Sequence, residues 1–349
     1  MNKQDILVIL GEAPFIQSDP LSNPSASWLR AYFSKSNLSI LMRGTKDLQV
    51  DANTRVFSLP SAKNTLSMLS GLFLDANFRK EFFSVRKVIR QQKESASKIW
   101  LRAPSLIPLL LSGCWRKEYA QKMHIHICAN RLTFSFFKKQ KNVVNFIKFL
   151  NGKATTFILK QAEKKGATFY HTGSQVQEAF GIKESKYLID YLPKKYDFDD
   201  KRQGLVFLGR TSKLKGNAEL TRFVNVTSNN ISLYGPGDTS ELPECVNYKG
   251  VVSPELVAEE ISQYEALVCI TNEYYEGFPR VLAEAISQEM WVVVNESCTF
   301  YNDLVNYPYL ITSEDVKENE DLEALLSSRD ETISNNFTQL IEKRSLLNG

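Results

Sequence analysis

Leu205-Val206-Phe207-Leu208-Gly209-Arg210 reads as four apolar residues, a glycine and a cation. Apolar residues with no polar alternation mark a strand covered on both faces. Short runs of the same kind return at Ile231–Tyr234, Val246–Tyr248, Ala266–Ile270 and Trp291–Val294. Helical spacing fills several of the intervals, at Asn217–Val226, Pro254–Ser262 and Pro279–Gln288. Strands that alternate with helices predict an α/β fold built on a parallel sheet.

Working outward, the first half has the same rhythm with longer connections. Its expected strands are Ile6–Leu10, Leu38–Leu41, Arg55–Ser58, Lys98–Leu101, His124–Cys128, Thr168–His171 and Tyr187–Asp190. A chain of 349 residues is long enough for two domains, each with its own core. The expected division is two Rossmann-like, doubly wound domains over 1–192 and 203–330. The polar stretch 193–202 would link them, and a helix over 331–349 would pack on the first domain. Two open sheets joined in this way leave a cleft facing the carboxyl ends of their strands, where such sheets bind ligands.

Composition narrows the class. At 43% hydrophobic and 23% charged residues, long disorder is excluded. No apolar run approaches the ~20 residues needed to span a bilayer, and the run Ile6–Leu10 is too short for a secretory signal. A cytoplasmic chain, soluble or peripheral to the membrane, is expected. Cysteines at 114, 128, 245, 269 and 298 are scattered and odd in number, which argues against disulfides and zinc. The net charge of +4 conceals a strong asymmetry: residues 1–192 hold 29 Lys and Arg against 13 Asp and Glu, whereas 193–349 hold 14 against 26. The two halves should therefore meet different partners.

The densest chemistry lies in Glu276-Gly277-Phe278-Pro279-Arg280-Val281-Leu282-Ala283-Glu284-Ala285. Pro279 suits the first turn of a helix, and Gly277 lets backbone approach a ligand closely. The free amides of that helix start make an anion site suited to a diphosphate. Glu276 in the loop and Glu284 in the helix could accept hydrogen bonds from hydroxyls at two ends of one ligand. A local alternative pairs Arg280 with Glu284 on the helix surface. In the strand-end run, Arg210 and then Lys215 would neutralise charge growing on a departing diphosphate.

Taken in order, Gly209-Arg210 with Lys215-Gly216, Leu233-Tyr234-Gly235-Pro236-Gly237, Tyr248-Lys249-Gly250 and Glu276-Gly277-Phe278-Pro279 with Glu284 resemble the retaining GT-B glycosyltransferases of family 4. The resemblance is strong from about Gly204 to Asn295. It implies the GT-B fold and a nucleotide-sugar donor, with no cofactor and no metal. It implies that Gly209, Arg210 and Lys215 meet the donor diphosphate, with Tyr234 and Gly235 beside them. Glu276 and the amides of Gly277, Phe278 and Pro279 would hold the sugar, and Glu284 the ribose. The backbone of Gly250, Val251 and Val252 would border the base.

The first half departs from that pattern. The small-residue stretch Asn23-Pro24-Ser25-Ala26-Ser27 stands where the family often has a glycine pair, making Ser25 and Ala26 acceptor-side candidates. A further strand ends Leu101-Arg102-Ala103-Pro104, which adds Arg102. No histidine falls at the end of the strand His124–Cys128, so His126 is the candidate sugar contact, with Asn130 as rival and a packed core histidine as the plain alternative. In the family the leaving phosphate can take the acceptor proton, so catalysis does not require that histidine. The triplet Asp197-Phe198-Asp199 falls in the expected linker and reads as solvated charge rather than a metal site.

In Phe78–Lys93 an apolar stripe of Phe78, Phe82, Val85 and Ile89 runs beside a basic one of Arg79, Arg86, Arg90 and Lys93. Such a surface suits an anionic membrane face or a lipid-phosphate acceptor; the plain alternative is a helix whose apolar stripe packs on the sheet while its charges are merely solvated, and no nucleic-acid motif is visible. The expected activity is retaining transfer of a sugar to a glycan or lipid-linked acceptor in bacterial surface polysaccharide assembly. Two rivals are an isomerase of nucleotide-sugars on the same fold and a non-catalytic protein that binds them. A dehydrogenase is disfavoured, because no G-x-G-x-x-G follows the first strand.

Overall fold

The computed structural model describes residues 4–10, 19–59, 71, 74–128, 143–173, 176, 179–190, 196, 202–211, 217–227, 230–237, 242–254, 256–271, 277–317 and 319–328. The chain divides into two compact units. One comprises Met1–His171 with Val176–Lys186, the other Thr172–Gln175 with Tyr187–Gly349. The expected linker falls almost entirely on residues outside those described, as do Asp197, Asp199 and the expected helix 331–349.

The first unit holds β1 (Asp5–Ile9), β2 (Asn37–Arg43), β3 (Leu48–Asp51), β4 (Thr54–Leu59), β5 (Lys98–Ala103), β6 (Met123–Ile127), β7 (Thr168–His171) and β8 (Lys186–Tyr187). They form an eight-stranded sheet ordered β3-β4-β2-β1-β5-β6-β7-β8. The β2–β4, β1–β2, β1–β5, β5–β6 and β6–β7 pairs are parallel, and β3 runs antiparallel to β4. Its helices are α1 (Pro24–Tyr32), α2 (Ala76–Ser95), α3 (Leu106–Ser112), α4 (Lys117–Ala120) and α5 (Val143–Lys164).

Strand alternation gives this sheet two different faces. Leu7, Ile9, Ile99, Leu101, Ile125 and Ile127 share one aliphatic core. The intervening residues include the rings of Trp100 on β5, His124 and His126 on β6, and Tyr170 on β7. Trp100 lies 5.8 Å from Trp28 of α1, 5.8 Å from His126 and 5.3 Å from Tyr170 between ring centroids. Each such pair adds about 1 kcal/mol beyond its buried area.

The second unit holds β9 (Leu205–Leu208), β10 (Ile231–Tyr234), β11 (Val246–Gly250), β12 (Ala266–Val268), β13 (Trp291–Val294) and β14 (Leu310–Thr312). Its helices are α6 (Asn217–Thr227), α7 (Val257–Ser262), α8 (Arg280–Ser287) and α9 (Asn319–Ser327). The sheet order is β11-β10-β9-β12-β13-β14, all parallel. The chain winds outward from β9 in one direction and then resumes at β12 in the other. That is the doubly wound order, and its switch point lies between β9 and β12. Strand β13 is buried at all four positions, as its unbroken apolar run requires. The α/β class and the parallel sheets agree with the sequence expectation; β3 and β14 are additions to it.

Candidate functional site

Ligands of a doubly wound sheet lie at the carboxyl ends of the strands flanking the switch point. In the second unit those ends are Gly209-Arg210 after β9 and Cys269-Ile270-Thr271 after β12. The strands β9, β10 and β11 finish in stacked glycine turns. Gly209 N donates to Tyr234 O (2.9 Å), Gly235 N to Gly250 O (2.8 Å) and Thr211 N to Pro236 O (3.1 Å). A Cβ on Gly235 would stand 2.1 Å from Gly209 O, at φ +140°. Only glycine allows this crossing, and it fixes where Arg210 leaves the sheet. Arg210 is exposed and makes no ion pair among the described residues. A cation presented to solvent at the switch point is poised for an anion.

Of the residues expected beside it, Tyr234 is buried and turned toward α7. Its hydroxyl donates to Glu260 Oε2 (3.2 Å) and lies 3.3 Å from the Tyr264 hydroxyl. Burial, then the hydrogen bond to Tyr264, pushes its pKa up. The phenol of Tyr234 is therefore engaged with α7 and Tyr264. Val251 is exposed and Val252 half-buried, while Gly250 takes φ +92° in open space. Lys215 and Glu276 lie outside the described residues.

The helix α8 begins on the same sheet edge, since it follows β12 in a parallel unit. Its N-cap is Pro279, with no side-chain hydrogen bond to the first turn. A helix start without a side-chain cap is chemically suited to an anion. Proline carries no N–H, and Phe278 N donates to Thr172 O at 2.9 Å, so neither Phe278 nor Pro279 offers the free amide expected of it. Gly173 allows this contact: a Cβ there would lie 3.3 Å from Phe278 N. Behind the loop, Asn295 fixes Thr271, accepting from its N–H (3.0 Å) and donating to its carbonyl (2.9 Å).

Glu284 is buried on α8, at 5% exposure. Burial raises its pKa to about 7; Arg280 opposes that shift and Asp190 adds to it. Arg280 Nη2 donates to Asp190 Oδ2 at 2.8 Å. The local surface pairing of Arg280 with Glu284 is therefore replaced by a long-range ion pair, with Asp190 nearly enclosed. Neither Asp190 nor Thr172 stood out in the sequence. The contacts join residues about a hundred positions apart, and no local pattern encodes them.

In the first unit, Asn23 caps α1: its Oδ1 accepts from Ser25 N (3.0 Å) and Ala26 N (3.1 Å). Both residues are buried and the cap occupies their amides. Arg102 is half-buried on β5 and pairs in register with His126. His126 is 1% exposed, packed on Trp100, with Nδ1 3.3 Å from Cys128 Sγ; its surroundings are those of a packed core histidine. Asn130 lies outside the described residues. Among the described residues no cluster of His, Cys, Asp and Glu could hold a metal ion.

Two doubly wound parallel units in one chain, the second opening a glycine-lined strand edge beside an uncapped helix, make up the GT-B fold. The structure is similar along nearly its whole length to glycosyltransferases of that fold. HepE from Anabaena, solved in complex with UDP, matches 98% of this chain and 95% of its own at TM-score 0.60 and 15% identity. WaaG, a glycosyltransferase involved in lipopolysaccharide biosynthesis, matches 97% and 94% at 0.60 and 10%. A UDP-forming α,α-trehalose-phosphate synthase from Burkholderia vietnamiensis matches 99% and 94% at 0.59 and 10%. No family model and no curated protein sequence matches the chain.

Proposed function

We propose that the chain is a retaining, metal-independent glycosyltransferase. It takes a sugar from a nucleotide diphosphate-sugar and passes it to a glycan or lipid-linked acceptor, in assembly of a bacterial surface polysaccharide such as lipopolysaccharide, O-antigen or capsule. The chain would work in the cytoplasm at the inner face of the membrane. The observation that carries the reading is the exposed Arg210, with no ion pair among the described residues, at the switch point of a sheet whose fold matches that of a protein solved with UDP.

In this reading the diphosphate lies across Gly209-Arg210 and the N-terminus of α8. Arg210 and Lys215 take up the negative charge that develops as the sugar C1–O bond breaks. The acceptor hydroxyl forms the new bond to C1, and its proton passes to the departing phosphate oxygen. Glu276 and the Gly277 amide hold the sugar hydroxyls, Glu284 the ribose, and the backbone of Gly250–Val252 borders the base. Because side-chain cations and a helix end meet the leaving group, the reaction should survive chelators.

A thermal-shift screen of nucleoside diphosphates, UDP first, tests the reading. A ligand at a hundred times its Kd adds about 2.7 kcal/mol of stability, and Arg210→Ala should abolish most of that. If no nucleoside diphosphate moves the melting temperature of the wild type, the donor site is wrongly assigned. If donor alone is rearranged without an acceptor, the chemistry is isomerisation. Binding without any turnover would make the chain a sugar-nucleotide-binding protein.

A further inference from the structure

The first unit carries a groove of about 600 Å³ between α2 and the segment from Leu110 to Tyr119. Five cations line it: Arg86, Lys87, Arg90 and Lys93 from α2, and Arg116 from the opposite wall. No carboxylate among the described residues does so. The nearest acids are Glu94, 3.1 Å from Arg90, and Glu118, 3.8 Å from Arg116; both pairs are exposed on both sides. Exposed pairs of this kind contribute little and leave the cations available to other anions.

The basic stripe seen in the sequence is not uniformly solvated. Lys93 is 8% exposed and donates to the carbonyls of Leu111 (3.2 Å) and Ser112 (3.1 Å), with its ammonium 4.3 Å from the centre of the Tyr119 ring. It anchors the end of α3 to α2 and thereby sets the width of the groove. Arg86, Lys87 and Arg90 remain exposed along the rim.

The same rim bears apolar side chains that a water-facing surface would hide. Phe83 is 56% exposed, Leu110 43% and Trp115 38%. An exposed apolar cluster on a globular unit marks an interaction surface. Aromatic and aliphatic side chains interleaved with arginines fit a lipid interface, where rings sit at the headgroup level and cations meet phosphates. Base recognition would call for an open aromatic platform along a strand path, and here the exposed residues instead crown one closed groove.

We propose that this groove seats the chain on an anionic bilayer, receiving a phospholipid phosphate among Arg86, Arg90 and Arg116 while Phe83, Leu110 and Trp115 enter the acyl boundary. This gives the membrane part of the proposed function a defined site. It is testable apart from sugar transfer, because its readout is lipid binding alone. No helix among the described residues is long and apolar enough to cross a membrane, so attachment would be to the surface.

Flotation of the full chain with phosphatidylcholine vesicles, with and without phosphatidylglycerol, tests it. Binding should need the anionic lipid and weaken as salt rises. The double variant Arg86→Ala, Arg90→Ala should bind about twenty-five-fold more weakly, from roughly fivefold per cation. Phe83→Ser with Trp115→Ser should lose binding that salt cannot restore. Lys164→Gln with Lys165→Gln, two exposed cations near the end of α5, should lose clearly less. Circular dichroism melts confirm that each variant is folded. The proposal fails if wild type ignores anionic vesicles, or if both pairs of cation variants lose binding equally. It also fails if inorganic phosphate releases the chain from vesicles better than chloride at equal ionic strength, which would make the groove a site for free phosphate. Retained nucleotide binding by the groove variants separates this result from failure of the donor site.

Discussion

Replacing Glu284 by Gln should change the pH dependence of stability in a calculable way. The carboxyl is buried on α8 and its pKa rises from 4.5 to about 7, first through burial and then against the favourable field of Arg280, with Asp190 adding to the rise. The folded state therefore holds a proton that the unfolded chain has released. Between those two values the folded form binds more protons, so stability falls as pH rises. The full contribution is present below about pH 4.5 and is gone above about pH 7. At about 1.4 kcal/mol per pH unit, the loss across that window is about 3 kcal/mol. Glutamine keeps the shape and has no proton to lose. The stability difference between variant and wild type should then shift by about 3 kcal/mol in favour of the variant from pH 4.5 to 7.5. Urea unfolding at half-unit intervals measures it, and titrations common to both proteins cancel in the difference. A difference that stays flat across the window would refute the assignment of a raised pKa to Glu284. The same logic reaches function: if a carboxylate accepts from ribose hydroxyls, donor binding lowers this pKa. Nucleotide affinity should then climb between about pH 6 and pH 8, and binding should release protons to buffer.

Other outcomes follow from single positions. Gly235→Ala places a Cβ 2.1 Å from Gly209 O and should cost about 3 kcal/mol or more. Gly250→Ala, also at positive φ but in open space, should cost only about 1 kcal/mol; equal losses in denaturant would contradict the close crossing. Asn23→Ala uncaps α1 and should lower stability by about 1 kcal/mol, an effect absent if the Ser25 and Ala26 amides are otherwise satisfied. Burial, with Lys98 and Lys186 adding to it, holds His124 down at about 4. Its ring should therefore stay neutral by NMR between pH 5 and 8, and stability should fall as pH drops from about 6.5 toward 4. A midpoint near 6.5 would show that the ring is solvated.

The parts of the fold that were legible in the sequence are those with strong local patterns. The runs at Leu205–Leu208 and Trp291–Val294 could only be strands buried on both faces, and both are. Strand β3 was missed because Leu48-Gln49-Val50-Asp51 is an edge strand, with two positions exposed and two half-buried, so no apolar run announces it. Strand β14 is three residues long, too short to carry a period. In the site, Gly209-Arg210 stood out because a glycine and a cation end an apolar run. The Asn23 cap had a signal that went unused: Asn followed by Pro is the start of a helix. The contacts of Asp190 with Arg280 and of Thr172 with Phe278 had none, because the chain folds through most of a unit between the partners. Lys93 misled, since a basic stripe on a helix reads as solvated until the carbonyl ends of α3 are seen beneath it.

The charge asymmetry should separate the two anion sites by their response to salt. The proposed donor edge belongs to the half with 14 cations against 26 anions, whose long-range field repels a diphosphate. Attraction there has to come from groups within a Debye length of ~8–10 Å; in the proposed function these are Arg210, Lys215 and the start of α8. Salt screens the distant repulsion together with the near attraction, so donor affinity should change little between low and physiological ionic strength. The groove lies in the half with 29 cations against 13 anions, where near and far fields act in the same direction. Lipid binding should therefore collapse over the same range. Nucleotide titration and vesicle flotation at matched salt concentrations measure the two slopes. Steep, parallel slopes would mean that both anions are drawn by the same diffuse basic surface. The separate placement of a donor edge in one unit and a lipid groove in the other would then lose its electrostatic basis.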